Sequence, residues 1–268
     1  MNPVVPIAIY GAAGRMGQAM LRLALEDSRF AVVAAIVKAD SASAGTLVDE
    51  TLGRGAMDLV YSIRLETATA PAVLVDFSFA DAFDNALAIA RARRIAFVSG
   101  TTGLSERQQA ALRDAAAAIP VLWSANFSIG VAVLGRLVRE AARALSDWDC
   151  EIAEAHHRHK KDAPSGTALT LGRAVAEARG VEFERVANLR ERDAMRDAST
   201  IGFASVRAGD IVGEHTVLFA GEGERVELTH RATDRTIFAR GALRAAAWIA
   251  NRPASLYTLD DVIGDRSR

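Results

Sequence analysis

The 268-residue chain is 50% hydrophobic and 24% charged, with 32 basic against 33 acidic side chains and a formal net charge of −1. That is the composition of a folded, water-soluble protein long enough for one large or two modest domains, and it gives no support to a general nucleic-acid or polyanion binder. A single cysteine, Cys150, excludes an internal disulfide and argues against a thiolate zinc site, and no apolar run approaches the roughly 18 residues of a membrane span.

Val4–Tyr10 is apolar enough to be a strand buried on both faces, Gly11–Gly17 is a turn, and Met16–Leu25 has helical spacing. Phe30–Val37, Ala72–Phe77, Ile95–Ser99 and Val121–Ser124 read as further strands. Between them Asp81–Arg93 is helical, with Asp81 near its N-terminus. Ser105, with Gln108 three residues later, suits a capping box that opens an alanine-rich helix to Ala118. This strand–helix repetition predicts a doubly wound α/β domain with a parallel sheet and right-handed crossovers.

After Phe127 the pattern changes. A helix over Ile129–Leu145 leads to the strand Asp149–Ala155, a basic loop and a helix over Gly166–Arg179. Three strands follow at Gly202–Arg207, His215–Ala220 and Arg225–Arg231. In the last, Val226 and Leu228 alternate with Glu227 and Thr229, the period of a sheet with one more polar face. This region is expected to be an α+β unit with a largely antiparallel or mixed sheet, and the polar stretch Arg190–Ser199 a mobile loop. The alanine-rich helix Phe238–Ala250 is expected to return to the first domain. The predicted domains are therefore 1–127 completed by 239–268, and 128–238. Cys150 reads as inert strand packing. The N-terminus enters a strand with no signal-like segment, so a cytoplasmic protein is expected.

Gly11-Ala12-Ala13-Gly14-Arg15-Met16-Gly17 follows a buried strand and opens a helix, which suits a pyrophosphate on backbone N–H groups. The spacing differs from the commoner G-x-G-x-x-G, so its place in the first βαβ unit carries the reading. Where the second strand ends, an acid would bind the ribose hydroxyls of NADH and a cation would suit the 2′-phosphate of NADPH. Val37 and Lys38 stand there, with Asp40 on the loop, which favours NADPH and leaves NADH open. Gly100-Thr101-Thr102-Gly103 and Ser124-Ala125-Asn126-Phe127-Ser128 end later strands, where they can line a nicotinamide site or form ordinary turns.

The densest chemistry is Glu154-Ala155-His156-His157-Arg158-His159-Lys160-Lys161-Asp162-Ala163-Pro164-Ser165-Gly166-Thr167. Imidazoles titrate near neutral pH, and the N–H groups of Gly166 and Thr167 at a helix start favour an anion. With Lys160 and a histidine the segment suits a small carboxylate, and a dicarboxylate in particular. A metal reading of the histidines has against it the missing thiolates, the missing H-E-x-x-H pattern and the adjacent Arg158, Lys160 and Lys161.

This run closely resembles the signature of the 4-hydroxy-tetrahydrodipicolinate (dihydrodipicolinate) reductase family. The likeness extends to the glycine turn, to Gly100–Gly103, to Ala125–Ser128 and to Thr200–Thr216. The resemblance implies NADPH- or NADH-dependent reduction of a cyclic dicarboxylate in the diaminopimelate route to lysine. It also implies a Rossmann-like domain closed by the C-terminal helix and a second domain whose sheet builds a homotetramer. By position it makes His156 the acid/base residue and Lys160 a second proton donor or source of charge. Substrate falls to His157, Ser165, Gly166 and Thr167. The cofactor falls to Gly11, Ala12, Ala13, Gly14, Arg15, Met16, Lys38, Gly100, Thr101, Thr102, Ser124, Ala125, Asn126 and Phe127. Some relatives carry an acid where this chain has Val37, which weighs against strong NADH binding. No metal is expected. The competing readings are a non-catalytic dinucleotide sensor, needing only the glycine turn, and a His-based metal hydrolase.

Overall fold

A computed structural model of the chain describes residues 3–52, 58–188, 196–197 and 199–264. Most of the stretch expected as a mobile loop from Arg190 to Ser199 lies outside the described residues. The chain forms two compact units, Met1–Ser128 with Thr236–Arg268, and Ile129–Arg235.

The first unit begins with β1 (Val5–Tyr10), α1 (Arg15–Glu26), β2 (Phe30–Ile36), the short α2 (Val48–Leu52) and β3 (Tyr61–Ser62). Then come β4 (Val73–Asp76), α3 (Ala80–Arg93), β5 (Ala96–Ser99), α4 (Glu106–Ala115) and β6 (Pro120–Trp123). The four residues of β4 and of β5 are buried throughout, as strands covered on both faces must be. Helix α4 starts where its local chemistry says. Ser105 accepts from the Gln108 N–H, and the Gln108 side chain accepts from the Ser105 N–H, completing the capping box. Leu74, Phe83, Phe97, Leu112 and Val121 share one core with Ile119.

The second unit runs α5 (Ile129–Ala144), β7 (Asp149–His156), α6 (Gly166–Ala178), the one-turn α7 (Phe183–Val186), β8 (Ala187–Asn188), β9 (Ile201–Arg207), β10 (Gly213–Ala220) and β11 (Arg225–Ala232). Its sheet has the order β11-β10-β7-β9-β8. β10 pairs antiparallel with β11 and β7, whereas β9 pairs parallel with β7 and β8, so the sheet is mixed. Ile152, Phe203, Val217 and Phe219 meet Leu134, Val138, Leu171 and Val175 of the helices in one core. Cys150 is in that core, where burial pushes its thiol up to about 12, a packing residue without thiolate chemistry.

The chain then re-enters the first unit as α8 (Thr236–Ile249), β12 (Ser255–Tyr257) and α9 (Leu259–Gly264). β12 adds to β6, giving a seven-stranded parallel sheet of order β12-β6-β5-β4-β1-β2-β3. The small residues Ala239, Gly241, Ala242, Ala245 and Ala246 of α8 are buried, which lets the helix lie close to its neighbours. Among the described residues no helix is long and apolar enough to cross a membrane.

Candidate active site

Two sets of functional side chains emerge, one in each unit. In the first, Gly11 turns the chain at the end of β1 with φ of 78°, a left-handed conformation that a side chain disfavours. The N–H groups of Gly11 and Ala12 bond to the Ile36 carbonyl at 2.9 and 3.0 Å, fixing the turn to the end of β2. A Cβ on Gly17 would collide with the backbone of Gly11 and Ala12, so only glycine lets α1 start this close to the turn. Gly14 is the N-cap and supplies no side-chain bond, and the first turn holds no acid. The N–H groups there, with Arg15 exposed beside them, are open to an anion, so the residues fit a pyrophosphate. Lys38 is exposed and bonds Asp40 at 3.1 Å. That contact crosses two solvated side chains and is cheap to exchange for another anion.

At the carboxyl ends of β4 and β5 the organising residue is Asp76, which is fully buried. It accepts from the Ser78 N–H (3.0 Å) and hydroxyl (2.6 Å), and from the hydroxyls of Ser99 and Thr101, both at 2.8 Å. Burial raises its pKa against the opposing pull of those donors. Thr101 is thereby pinned, and its carbonyl takes the Trp123 indole N–H at 2.8 Å. Its neighbours Gly100 and Thr102 flank that fixed point. Ser124 donates to the Asn126 carbonyl at 2.7 Å, and Asn126 Oδ1 accepts from the Ser128 N–H at 2.8 Å. The Phe127 ring is buried, 5.3 Å from that of Phe77, and its carbonyl oxygen packs against Gly241 of α8, where an added Cβ would collide with it.

In the second unit the period of β7 places Glu154 and His156 on the same buried face. Glu154 Oε2 lies 2.6 Å from His156 Nδ1, and Arg207 grips the carboxylate from the other side, at 2.7 Å to Oε1 and 2.9 Å to Oε2. Burial pushes the Glu154 carboxyl up. The bonds from Arg207, Ser205 and His156, with the Arg207 charge, outweigh it and hold the group at about 2. An ionised carboxylate only accepts, so His156 Nδ1 carries the hydrogen and Nε2 is the nitrogen free to exchange a proton. Nε2 faces Gly213, where an added Cβ would stand 3.0 Å away.

His157 Nε2 lies 3.0 Å from an Arg235 guanidinium nitrogen. Desolvation, then the charges of Arg235, His159, His156 and Lys160, lower its pKa, which favours a neutral ring. Lys160 Nζ holds both oxygens of Asp162, at 2.8 and 2.9 Å, and the Asp162 carbonyl takes a bond of 2.6 Å from Arg207. Ser165 is buried and caps α6, its hydroxyl accepting from the Ala168 N–H and lying 3.0 Å from His215 Nε2. Gly166 is exposed at the first turn of α6, which holds no acid. Among the described residues no three His, Cys, Asp or Glu side chains converge to hold a metal ion.

The likeness to known proteins covers both units. The dihydrodipicolinate reductase N-terminal model matches residues 5–127 and the C-terminal model residues 130–263. The chain belongs to the dihydrodipicolinate reductase family. It is 48% identical over 262 residues to the 4-hydroxy-tetrahydrodipicolinate reductase of Alkalilimnicola ehrlichii, covering 96% of this chain and 98% of that one. The enzyme of the same name from Xanthomonas euvesicatoria is 48% identical over 261 residues, covering 97% and 98%. A dipicolinate-bound dihydrodipicolinate reductase from Paenisporosarcina superposes with a TM-score of 0.75 at 23% identity, covering 95% of this chain and 97% of that one, a match of fold. Membership of this reductase family, with its nucleotide domain, implies a nicotinamide dinucleotide as reductant.

Placed within the dihydrodipicolinate reductase family, the site holds residues that the sequence reading leaves without a role: Glu154, Asp162, Arg207, His215, Arg235 and, in the nucleotide unit, Asp76. Glu154 carries a local signal, since it stands two residues before His156 on one strand. Asp76 has one too, as an acid closing an apolar strand. Arg207 and His215 come from other strands; both lie in the Thr200–Thr216 stretch of the family likeness, but no spacing along the chain ties them to Glu154 or Ser165.

Proposed function

We propose that the chain reduces 4-hydroxy-tetrahydrodipicolinate, by way of dihydrodipicolinate, to tetrahydrodipicolinate in the diaminopimelate route to lysine, with NADPH preferred over NADH. The observation that carries this reading is the Glu154–His156 pair. It gives a reductase-family chain an imidazole with one nitrogen fixed and the other available. Once water has left the hydroxylated substrate, a bound reduced nicotinamide would supply a hydride to a ring carbon conjugated with the C=N bond. Electron density then moves to that nitrogen, and the resulting enamine needs a proton.

His156 supplies that proton from Nε2, while Glu154 keeps Nδ1 protonated and stabilises the ring as an imidazolium. Lys160, freed from Asp162, places positive charge at a substrate carboxylate, where a partly dehydrated pair is worth several kcal/mol. His157, Arg235 and the Gly166 and Thr167 end of α6 hold the carboxylates. Ser165 serves the same end by starting the helix. In the nucleotide unit Gly11 and Ala12 shape the turn, Ala13, Gly14, Arg15 and Met16 meet the pyrophosphate, and Lys38 meets the 2′-phosphate. Gly100, Thr101, Thr102, Ser124, Ala125, Asn126 and Phe127 line the nicotinamide end.

The assembly belongs to the same reading, a cytoplasmic homotetramer built on the second sheet. The face turned away from α5 and α6 carries the uncharged row Ala204, Ala153, Thr216 and Thr229, with Val206 53% exposed beside it and the Glu214–Arg231 ion pair at its edge. Mass photometry reads the assembly directly, with four copies expected and a monomer contrary to it. For the activity, the aldol product of pyruvate and aspartate semialdehyde is supplied with NADPH and the loss of reduced-nicotinamide absorbance is followed. Consumption that resists chelators is expected; folded protein that consumes none would falsify the reductase reading.

A further inference from the structure

Phe79 breaks two local rules at one position. It is 81% exposed, the highest among the exposed large apolar residues described. It is also the N-cap of α3 and makes no side-chain capping bond there. Ser, Thr, Asp and Asn are favoured at that place because they accept from the first N–H groups of the helix. The 14-residue α3 therefore starts uncapped, and a phenyl ring is left in water. Departures from local preference that bring no stability are expected where a residue serves a ligand.

The neighbours of Phe79 indicate which ligand. It follows Asp76, Phe77 and Ser78 at the carboxyl end of β4, the end at which open parallel sheets bind nucleotides. The glycine turn lies against this corner, since a Cβ on Gly11 would stand 2.9 Å from the Phe77 carbonyl oxygen and 3.2 Å from Ser78 Cα. The same turn is bonded to Ile36 at the end of β2, from which Val37 and Lys38 lead out. Ser78 is held by its two bonds to Asp76 Oδ1, so the corner carrying Phe79 is fixed. With strands in the order β4-β1-β2, this corner and the β2 end flank the β1 turn on either side, so an adenosine lying from that turn towards β2 passes within reach of a ring projecting from the β4 corner.

We propose that Phe79 is the platform on which the adenine base of the dinucleotide stacks, a role that rests on the dinucleotide reading above. A purine offers a π-face and no charge, and an exposed phenyl ring recovers its hydration cost only when such a face covers it. Phe79 thus contributes to nucleotide binding and not to the fold, while Lys38 meets the phosphate edge of the same adenosine.

Calorimetric titration of NADPH and of adenosine 2′,5′-bisphosphate into wild type, Phe79→Ser and Phe79→Tyr tests this. Phe79→Ser removes the ring and restores a capping oxygen. It is expected to weaken both ligands roughly tenfold, within the range for loss of one base–aromatic stack, while raising Tm by about 2–4 °C through the new cap. Phe79→Tyr keeps the stack and is expected to bind both ligands within about twofold of wild type. Unchanged binding of the bisphosphate by Phe79→Ser would overturn the inference, whatever happens to NADPH. A Tm that falls together with binding would also overturn it, because the ring would then be holding the fold. Wild-type protein that bound neither ligand would remove the dinucleotide reading itself, and this inference with it.

Discussion

Glu154 Oε2 and His156 Nδ1 stand 2.6 Å apart on one face of β7, and this contact decides which nitrogen of the imidazole can trade a proton. Arg207 completes the arrangement by keeping the carboxylate ionised, so the ring is both oriented and electrostatically supported from behind.

Replacing Glu154 with Gln keeps the shape and removes the charge. Turnover is expected to fall by about 10²-fold or more, as for a general acid that loses its orienting partner, while NADPH affinity stays near wild type. Arg207 loses its ion-pair partner, so the urea midpoint should also drop, by an equivalent of about 3 kcal/mol. Wild-type turnover in a folded Glu154→Gln protein would remove the carboxylate from the mechanism.

His156→Gln and Lys160→Ala address the proton and the charge separately. Each is expected to cost about 10²–10⁴-fold in kcat. Lys160→Ala should in addition raise KM for the dicarboxylate, since in the proposed mechanism Lys160 exchanges Asp162 for a substrate carboxylate. Titration with NADPH should give near wild-type affinity for both variants, and a joint loss of turnover and nucleotide binding would point to misfolding.

His215 makes acid stability measurable. Burial, with the nearby charge of His156, depresses its pKa to about 4 from 6.5, against the opposing pull of Glu154. The unfolded chain therefore binds this proton more readily. The stability that His215 contributes is present above pH 6.5 and is lost as pH falls towards 4. His215→Gln retains a partner for Ser165 and does not titrate. Urea midpoints measured from pH 7 to pH 4 should fall less steeply for this variant than for wild type, and parallel slopes would show that another group controls the transition.

Asp76→Ala leaves three hydroxyls, those of Ser78, Ser99 and Thr101, without their shared acceptor. A loss of about 2 kcal/mol is expected in chemical denaturation. Nucleotide affinity should weaken with it, because Thr101 is no longer held in place. Intact affinity in a destabilised variant would confine Asp76 to the core.

Lys38→Ala separates the two reductants. Affinity for NADPH should fall by roughly tenfold, the size of one exposed charge-assisted contact, and that for NADH hardly at all. Equal losses would show that Lys38 does not meet the 2′-phosphate.

The fold is legible wherever its signal is local. The Ser105–Gln108 box lies within four residues, and the buried runs of β1, β4 and β5 announce a sheet covered on both faces. β3, β8 and β12 are two or three residues long, too short to carry a period, and exist because a neighbouring strand offers partners. The site divides in the same way. His156, Lys160, Ser165 and Gly166 fall within one run whose composition suits little else. Arg207 reaches Glu154 across 53 residues and His215 reaches Ser165 across 50, through sheet registers that no short window contains. Phe127, read from the sequence as lining the cofactor, has its ring packed on Phe77 in the core, a contact that no short window announces.

The return of α8 and β12 to the first sheet has a consequence in time. Every residue of the Ile129–Arg235 unit has been synthesised once Arg235 is joined, whereas the Met1–Ser128 segment still lacks two helices and an edge strand. On the ribosome the later-made unit can close first. The nucleotide half waits, with the flank of β6 unpaired, for the last stretch of the chain to emerge.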